Sequence, residues 1–301
     1  MTIHTRPVTL LTAKNRVEFF ARGERFATYR YEEGMTPGFV ALYAPAERLI
    51  TRTVENGLAL WLGHGNVNGL AFGIEDAEPT GSLDRSENSE LTEQLANSAD
   101  GEIVSLEMLT RRSAYSVGFQ HECAWLAPDG KRIVTDTRTV RVTPGPSEGA
   151  ILDIQIVLQV PGDTPVVFGR SQSAFLSIRA ASALTSVDAF AMGAGQLRNS
   201  LGAYGSENVH SRMAKWCACV GVVRGETVGF AFLEHPDNPF FPSPWIARPD
   251  GVLSPSPFGW RSFNLGAGES LTLRYRLLVH VGYVNQGWAD ARLADFVRDN
   301  P

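Results

Sequence analysis

The 301-residue chain reads as an all-β protein, a large antiparallel β-sandwich with a short C-terminal helix. Three observations predict this. Apolar and β-branched residues recur with a period of two, turn residues punctuate those runs, and helical periodicity is almost absent. No βαβ alternation appears, which disfavours a doubly wound sheet.

The runs expected to form strands are, in order, Arg16–Phe20, Arg25–Tyr31, Gly101–Leu109, Tyr115–Ala124, Arg132–Val142, Ile151–Val160, Leu176–Ala180, Trp216–Val223, Thr227–Leu233 and Ser270–Val281. Between them lie Pro128-Asp129-Gly130, Pro144-Gly145-Pro146, Pro161-Gly162-Asp163, Arg224-Gly225-Glu226 and Gly266-Ala267-Gly268. In the first of these, proline presets φ and glycine supplies φ > 0, the chemistry of a hairpin turn. Arg224-Gly225 is a second hairpin candidate. A surface helix is expected over Glu87–Asn97, inside a polar excursion from Asp76 to Asp100. A terminal helix is expected over Trp288–Arg298, where Ala289, Leu293, Phe296 and Val297 share one face. Neither a repeat nor a linker divides the chain, so residues 1–301 are read as one domain.

Composition narrows the function. With 44% apolar residues and 16 Phe, 7 Tyr and 6 Trp, the chain can bury a core. Its 27 basic and 32 acidic residues give a net charge of −5 without a block of like charges, which argues against nucleic acid. No apolar stretch is long enough to span a bilayer, and the N-terminus lacks the apolar core of a signal peptide. The expectation is therefore a cytoplasmic protein. Cys123, Cys217 and Cys219 read as reduced packing residues; the last two fall on one face of a strand, a poor disulfide geometry.

Leu60–Gly73, LWLGHGNVNGLAFG, places Trp61, His64, Asn66 and Asn68 among four glycines. One imidazole, two amides and an indole have the composition of a small-molecule site. The alternative is that the asparagines serve turn geometry and His64 caps the backbone. Leu233–Gly259 carries seven prolines in 27 residues and reads as a long ordered loop rather than a strand. It holds His235, Asp237, Asn238, Trp245, Arg248 and Asp250, or alternatively forms a structural lid packed by Phe240, Phe241 and Trp245. A third cluster brings His121 and Glu122 near Asp136 and Arg138 across the Pro128 hairpin. A Glu122–Arg138 ion pair on the solvent face is the expected arrangement there. Serine-hydrolase elbow, zinc-protease, dinucleotide and P-loop motifs are all lacking.

From LWLGHGNVNG onward the chain resembles the PmoA-like family. The resemblance continues through Arg138–Val142, Phe168–Ala181, Asn199–Gly202 and Trp216. It then runs through VGFAFLEHPDNPFFPSPWIARPDGVLSPSPFG and ends on GESLTLRYRLLVHVG, Gly268–Gly282. The resemblance implies a sugar-mutarotase-like supersandwich and a carbohydrate ligand rather than methane. Relatives carry a histidine-rich run where this chain reads Thr53-Val54-Glu55-Asn56-Gly57, and a Lys-Glu-Gly segment where it reads Ser171-Gln172-Ser173-Ala174.

Two principal readings follow. The first is a carbohydrate-active protein that cleaves a glycoside or epimerises a sugar in a cleft on a concave sheet. Its acid–base groups are His64, His235, Glu122 and Asp136, and its substrate contacts are Trp61, Asn66, Asn68, Asn238, Trp245 and Arg248. Histidine suits proton transfer near neutrality. The second is a non-catalytic sugar-binding or assembly protein. A metal-dependent enzyme is a third alternative, although neither a metal site nor a cofactor is assigned. Sheet edges and aromatic surface suit a homodimer.

Overall fold

The computed structural model describes residues 7–53, 57–73, 100–146, 149–171, 175–185 and 195–299. The helix expected over Glu87–Asn97 lies outside them. So do nearly all of the polar excursion, the centre of the 53–57 segment and residues 172–174.

The described strands are, in chain order, β1 (Val8–Ala13), β2 (Arg16–Ala21), β3 (Glu24–Arg30), β4 (Gly38–Ala44), β5 (Arg48–Leu49), β6 (Leu60–Leu62), β7 (His64–Val67), β8 (Leu70–Phe72), β9 (Asp100–Arg112), β10 (Val117–Leu126) and β11 (Arg132–Pro144). They continue as β12 (Ala150–Gln159), β13 (Val166–Phe168), β14 (Leu176–Arg179), β15 (Gln196–Asn199), β16 (Arg212–Met213), β17 (Trp216–Val223), β18 (Glu226–Glu234), β19 (Pro244–Ala247), β20 (Val252–Pro255), β21 (Phe263–Leu265) and β22 (Ser270–Val281). A single helical turn, α1 (Ser206–Val209), and a C-terminal helix, α2 (Gln286–Asp299), complete the principal elements.

These strands form two large sheets, as the alternation predicts. The first runs β1-β2-β3-β4-β6-β14-β20-β19-β16, with β5 on β4. The second runs β15-β17-β18-β22-β12-β11-β10-β9-β8-β7-β13-β21. Pairing is antiparallel except between β8 and β9. Alternation sends Val117, Phe119, His121, Cys123 and Trp125 of β10 into the space between the sheets, where all five are buried. Leu152, Ile154, Ile156 and Leu158 of β12 line the same core. The chain passes from one sheet to the other at Gly63, between β6 and β7. A Cβ there would lie 2.5 Å from the Gly73 carbonyl oxygen, so only glycine fits the crossing.

Both expected hairpins form. Gly130 takes φ +81°, and the Arg224-Gly225 turn has φ values of +50° and +77°. The terminal helix also forms, and it packs on the outer face of β17, β18 and β22. Ala289, Leu293 and Phe296 meet Trp216, Ala218, Leu233 and Leu278 there. The Trp216 indole donates to Asp290 at 2.8 Å, fixing the docking. Val297, expected on the buried face, is exposed.

The proline-rich stretch is not a continuous loop. It contains the β19–β20 hairpin, with Ile246 opposite Ser254 and Ala247 opposite Leu253. Its prolines fall where a missing N–H does least harm: Pro244 opens β19, Pro255 closes β20 and Pro249 lies in the turn between them.

Candidate functional site

The remainder of that stretch, residues 235–243, is a turn anchored at both ends. The Asn238 amide donates to the Arg274 carbonyl at 2.9 Å, and its oxygen accepts from the Arg274 N–H at 2.7 Å. It thereby takes the place of a strand residue beside β22. At the other end the Glu234 carboxylate accepts from the Ser243 N–H at 2.7 Å and from its hydroxyl at 2.6 Å. Burial pushes the Glu234 carboxyl up to about 7, although the Ser243 bonds pull the other way. His235 is buried with its ring edge-on to Phe296, and its Nδ1 accepts from the Asp237 N–H at 3.2 Å.

This anchored turn exposes Pro236 and Asp237 and leaves Phe240 half-buried at its edge. The Asp237 side chain is 63% exposed and lies 4.0 Å from the Arg274 guanidinium. Phe240 sits at φ +68°, a strained conformation for a bulky residue. Its ring lies under the Arg261 guanidinium, 4.6 Å from centroid to Cζ, and edge-on to Phe263. Trp260, next to Arg261 in the chain, is 50% exposed. Behind this rim an aromatic column runs inward. Phe263 stacks on Phe258, Phe258 stacks on Phe168, and Phe258 meets His64 edge-on at 5.4 Å. The glycine–asparagine and proline-rich segments therefore do meet, through His64 and Phe258. They meet as packing rather than around a shared hollow.

A second polar group lies between the sheets. In the β10–β11 register His121 faces Arg138 and Cys123 faces Asp136. Arg138 does not pair with Glu122 on the solvent face. It points inward and grips Asp136 with two bonds, 2.7 and 3.1 Å, while donating to the Pro37 carbonyl at 2.7 Å. The Trp125 indole donates to the same carboxylate at 2.6 Å. His121 is bonded through Nδ1 to the Tyr29 hydroxyl and through Nε2 to Ser105, each at 2.8 Å. Burial, followed by the neighbouring Arg138 charge, lowers His121 to about 3. Burial raises the Cys123 thiol and the Tyr29 phenol. Apart from the Arg138–Asp136 pair, which lies within β11, these bonds tie one sheet to the other or one strand to its neighbour.

The other expected site residues are dispersed. His64 is buried, bonded through Nε2 to the Gly169 carbonyl at 2.9 Å, and lowered by burial to about 4. Asn66 accepts from the Gly69 N–H at 3.1 Å, and Asn68, at φ +52°, accepts from the Val167 N–H at 2.8 Å. Both serve turn geometry. Trp61 is 4% exposed, on the opposite face of β6 from the core, with Arg179 over its ring. Trp245 is fully buried and donates to the Ala214 carbonyl at 2.7 Å. Arg248 pairs with Asp250 at 2.7 Å in the β19–β20 turn. Glu122 faces outward, opposite Glu107. Among the described residues His64, His235 and Asp136 thus lie in three separate buried environments. The rim residues, exposed Trp260 and Arg261 with half-buried Phe240 and Arg274, were outside the expected site residues. Their one sequence signal is Phe258-Gly259-Trp260-Arg261, directly after the last proline.

Among the described residues no helix is long and apolar enough to cross a membrane. No group of three or more His, Cys, Asp or Glu among them is arranged to hold a metal.

Three solved structures show the range of similar folds. A 4-α-glucanotransferase from Thermococcus litoralis has 13% identity and a TM-score of 0.37, covering 91% of this chain and 39% of its own. A proposed aldose 1-epimerase from Klebsiella pneumoniae has 8% identity and a TM-score of 0.36, covering 98% and 88%. An α-N-acetylgalactosaminidase from Bifidobacterium bifidum has 12% identity and a TM-score of 0.31, covering 99% and 39%. The present chain thus spans about two fifths of the glucanotransferase and the galactosaminidase. No functionally curated protein matches it. The resemblance to a PmoA-like family is corrected by the family comparison, which gives no such match. The segments quoted for that resemblance fall on β6–β8, β11, β13–β15, β17–β20 and β22. Residues 16–294 match instead a family of unknown function, DUF6807, and the chain belongs to that family.

Proposed function

We propose that this protein binds a carbohydrate at the rim formed by residues 237–240, 260–261 and 274, and does not turn it over. The observation that carries the reading is the half-exposed Trp260 beside the strained Phe240–Arg261 stack. Aromatic faces offer apolar platforms for pyranose rings. Asp237, Arg261 and Arg274 add a carboxylate acceptor and planar donors for hydroxyl groups. The absence of turnover is argued from His64, His235 and Asp136. All three are buried and bonded to protein atoms, so none is placed to exchange a proton with a bound sugar.

The test is calorimetric titration with a panel of neutral mono- and oligosaccharides. Saturable binding is expected, weakened about tenfold or more by Trp260→Ala, with every sugar recovered intact. Unchanged affinity in that variant, or cleavage products from the wild type, contradicts the reading.

One observation favours a second reading, glycoside cleavage. Glu107 and Glu122 are direct cross-strand partners on the outer face of the second sheet. Directly opposed residues have Cβ atoms about 5 Å apart, from which two glutamate side chains can reach the carboxyl spacing of roughly 5 Å that retaining glycosidases use. Released reducing ends that vanish in Glu122→Gln would establish it; a glycoside panel left intact removes it.

A further inference from the structure

A groove at the opposite end of the first sheet's early strands has the chemistry of a binding site of its own. Its walls are the β2–β3 turn and the β4–β5 turn, and its lining includes Arg22, Glu24, Arg25, Tyr43 and Pro45, closed below by Ala150. About 220 Å³ is free between them.

Both turns are strained. Ala21 pairs with Glu24, so Arg22-Gly23 is a two-residue loop with φ values of +52° and +86°. That is the geometry for which Asn-Gly or Asp-Gly is preferred, and arginine gains nothing from it. In the other turn Ala46 and Glu47 also lie at positive φ, +61° and +48°. Three of the eight described non-glycine residues at positive φ therefore border one groove. Concentrated strain of this kind persists where a particular side-chain placement is being held.

The two turns clasp each other through their glutamates. Glu24 accepts from the Ala46 N–H at 2.6 Å, and Glu47 accepts from the Arg25 N–H at 3.4 Å. Each glutamate thus spends an oxygen on backbone. Among the described residues neither Arg22 nor Arg25 forms an ion pair. The Arg25 Nε is buried without a hydrogen-bond partner. Neither guanidinium is thus committed to a carboxylate beside this open groove.

We propose that this groove binds a hydroxy-carboxylate of the sugar-acid class, its carboxylate held by Arg22 and Arg25 and its hydroxyl groups by Glu24 and Tyr43. Arginine suits a carboxylate because its planar fork meets both oxygens. The free Glu24 oxygen disfavours a compact polyanion and accepts from a hydroxyl instead. The site is separate from the carbohydrate rim and does not depend on it.

The experiment titrates the full chain with D-glucuronate, D-glucose and inorganic phosphate. Glucuronate is expected to saturate, with glucose at least roughly tenfold weaker for want of the charge-assisted carboxylate contact, and phosphate at least roughly tenfold weaker for want of hydroxyls to meet Glu24 and Tyr43. Arg22→Asn is the decisive variant. Asparagine tolerates positive φ, so its melting temperature should rise while glucuronate affinity falls about tenfold or more. Arg25→Gln should weaken binding similarly; where it fails to fold, Arg22→Asn decides alone. Unsaturable glucuronate binding, equal affinity for glucose or phosphate, or full affinity in Arg22→Asn overturns the proposal.

Discussion

Lowering the pH from 7.5 to 4.5 should cost the fold about 5 kcal/mol, and the origin is three buried imidazoles. Burial lowers His64 and His280 to about 4 and His121 to about 3. An unfolded histidine titrates near 6.5. A folded pKa below the unfolded one means that the unfolded chain binds protons more readily. Stability is therefore full above about 6.5 and is lost as the pH falls toward the folded values. At pH 4.5 each of the three contributes a loss of roughly 2.5 kcal/mol. Glu234 works in the opposite direction. Its carboxyl, pushed up to about 7, stabilises the fold fully below the unfolded value near 4.5, and that contribution fades as the pH rises through 7. It returns about 3 kcal/mol over the same interval. The net loss is comparable with the whole stability of many domains. Urea unfolding at pH 7.5, 6.0, 5.0 and 4.5 measures it. Glu234→Gln should deepen the acid loss by about 3 kcal/mol. A midpoint that stays level down to pH 4.5, or an acid loss unaltered in Glu234→Gln, refutes the reasoning.

Other consequences follow from single contacts. Asp136→Ala leaves Arg138 charged and buried without its partner, so a loss of about 3–5 kcal/mol is expected from denaturant midpoints; a loss below about 1 kcal/mol would show that the pair is dispensable. Asn238→Ala removes two bonds to the Arg274 backbone and should loosen the 235–243 turn by about 1–3 kcal/mol. Hydrogen exchange at the Arg274 amide reads this directly, and unchanged protection contradicts the anchoring role. Phe240→Gly removes the positive-φ strain together with the ring. Lost packing against Phe263 and the core outweighs the relieved strain, so a loss of about 1–3 kcal/mol is expected while carbohydrate affinity falls; retained affinity would remove Phe240 from the rim.

The long strands were legible because their periodicity was. Nine of the ten alternating runs sit within about two residues of β2, β3, β10–β12, β14, β17, β18 and β22, and the tenth within the longer β9. The short strands β6–β8, β13, β15, β16 and β19–β21 have two to four residues, too few for a period of two to register. In β4, GFVALYA, both faces are largely buried, so no alternation marks it. The Pro128 hairpin brought His121, Asp136 and Arg138 into one region, but not the expected pairing: Arg138 lies opposite His121 and Asp136 opposite Cys123. Which face was buried could not be read, because charges ordinarily point outward. Arg138 and Asp136 turn inward because Pro37 and Trp125 satisfy them, and Pro37 is remote in sequence. The asparagines of the 66–68 segment looked like ligand contacts because the same amide groups serve turns and sugars alike. The rim escaped notice because Phe240 and Arg261 come from separate turns that meet only in the fold.

The central claim, an aromatic rim that holds a sugar without transforming it, is tested most directly by one NMR titration. The Trp260 indole N–H and the ligand's anomeric protons are followed in the same sample. The account predicts a saturable shift of the indole signal while the anomeric populations and sugar integrals stay constant over hours. An indole signal that never moves, or anomeric signals that decay or interconvert faster than without protein, contradicts it.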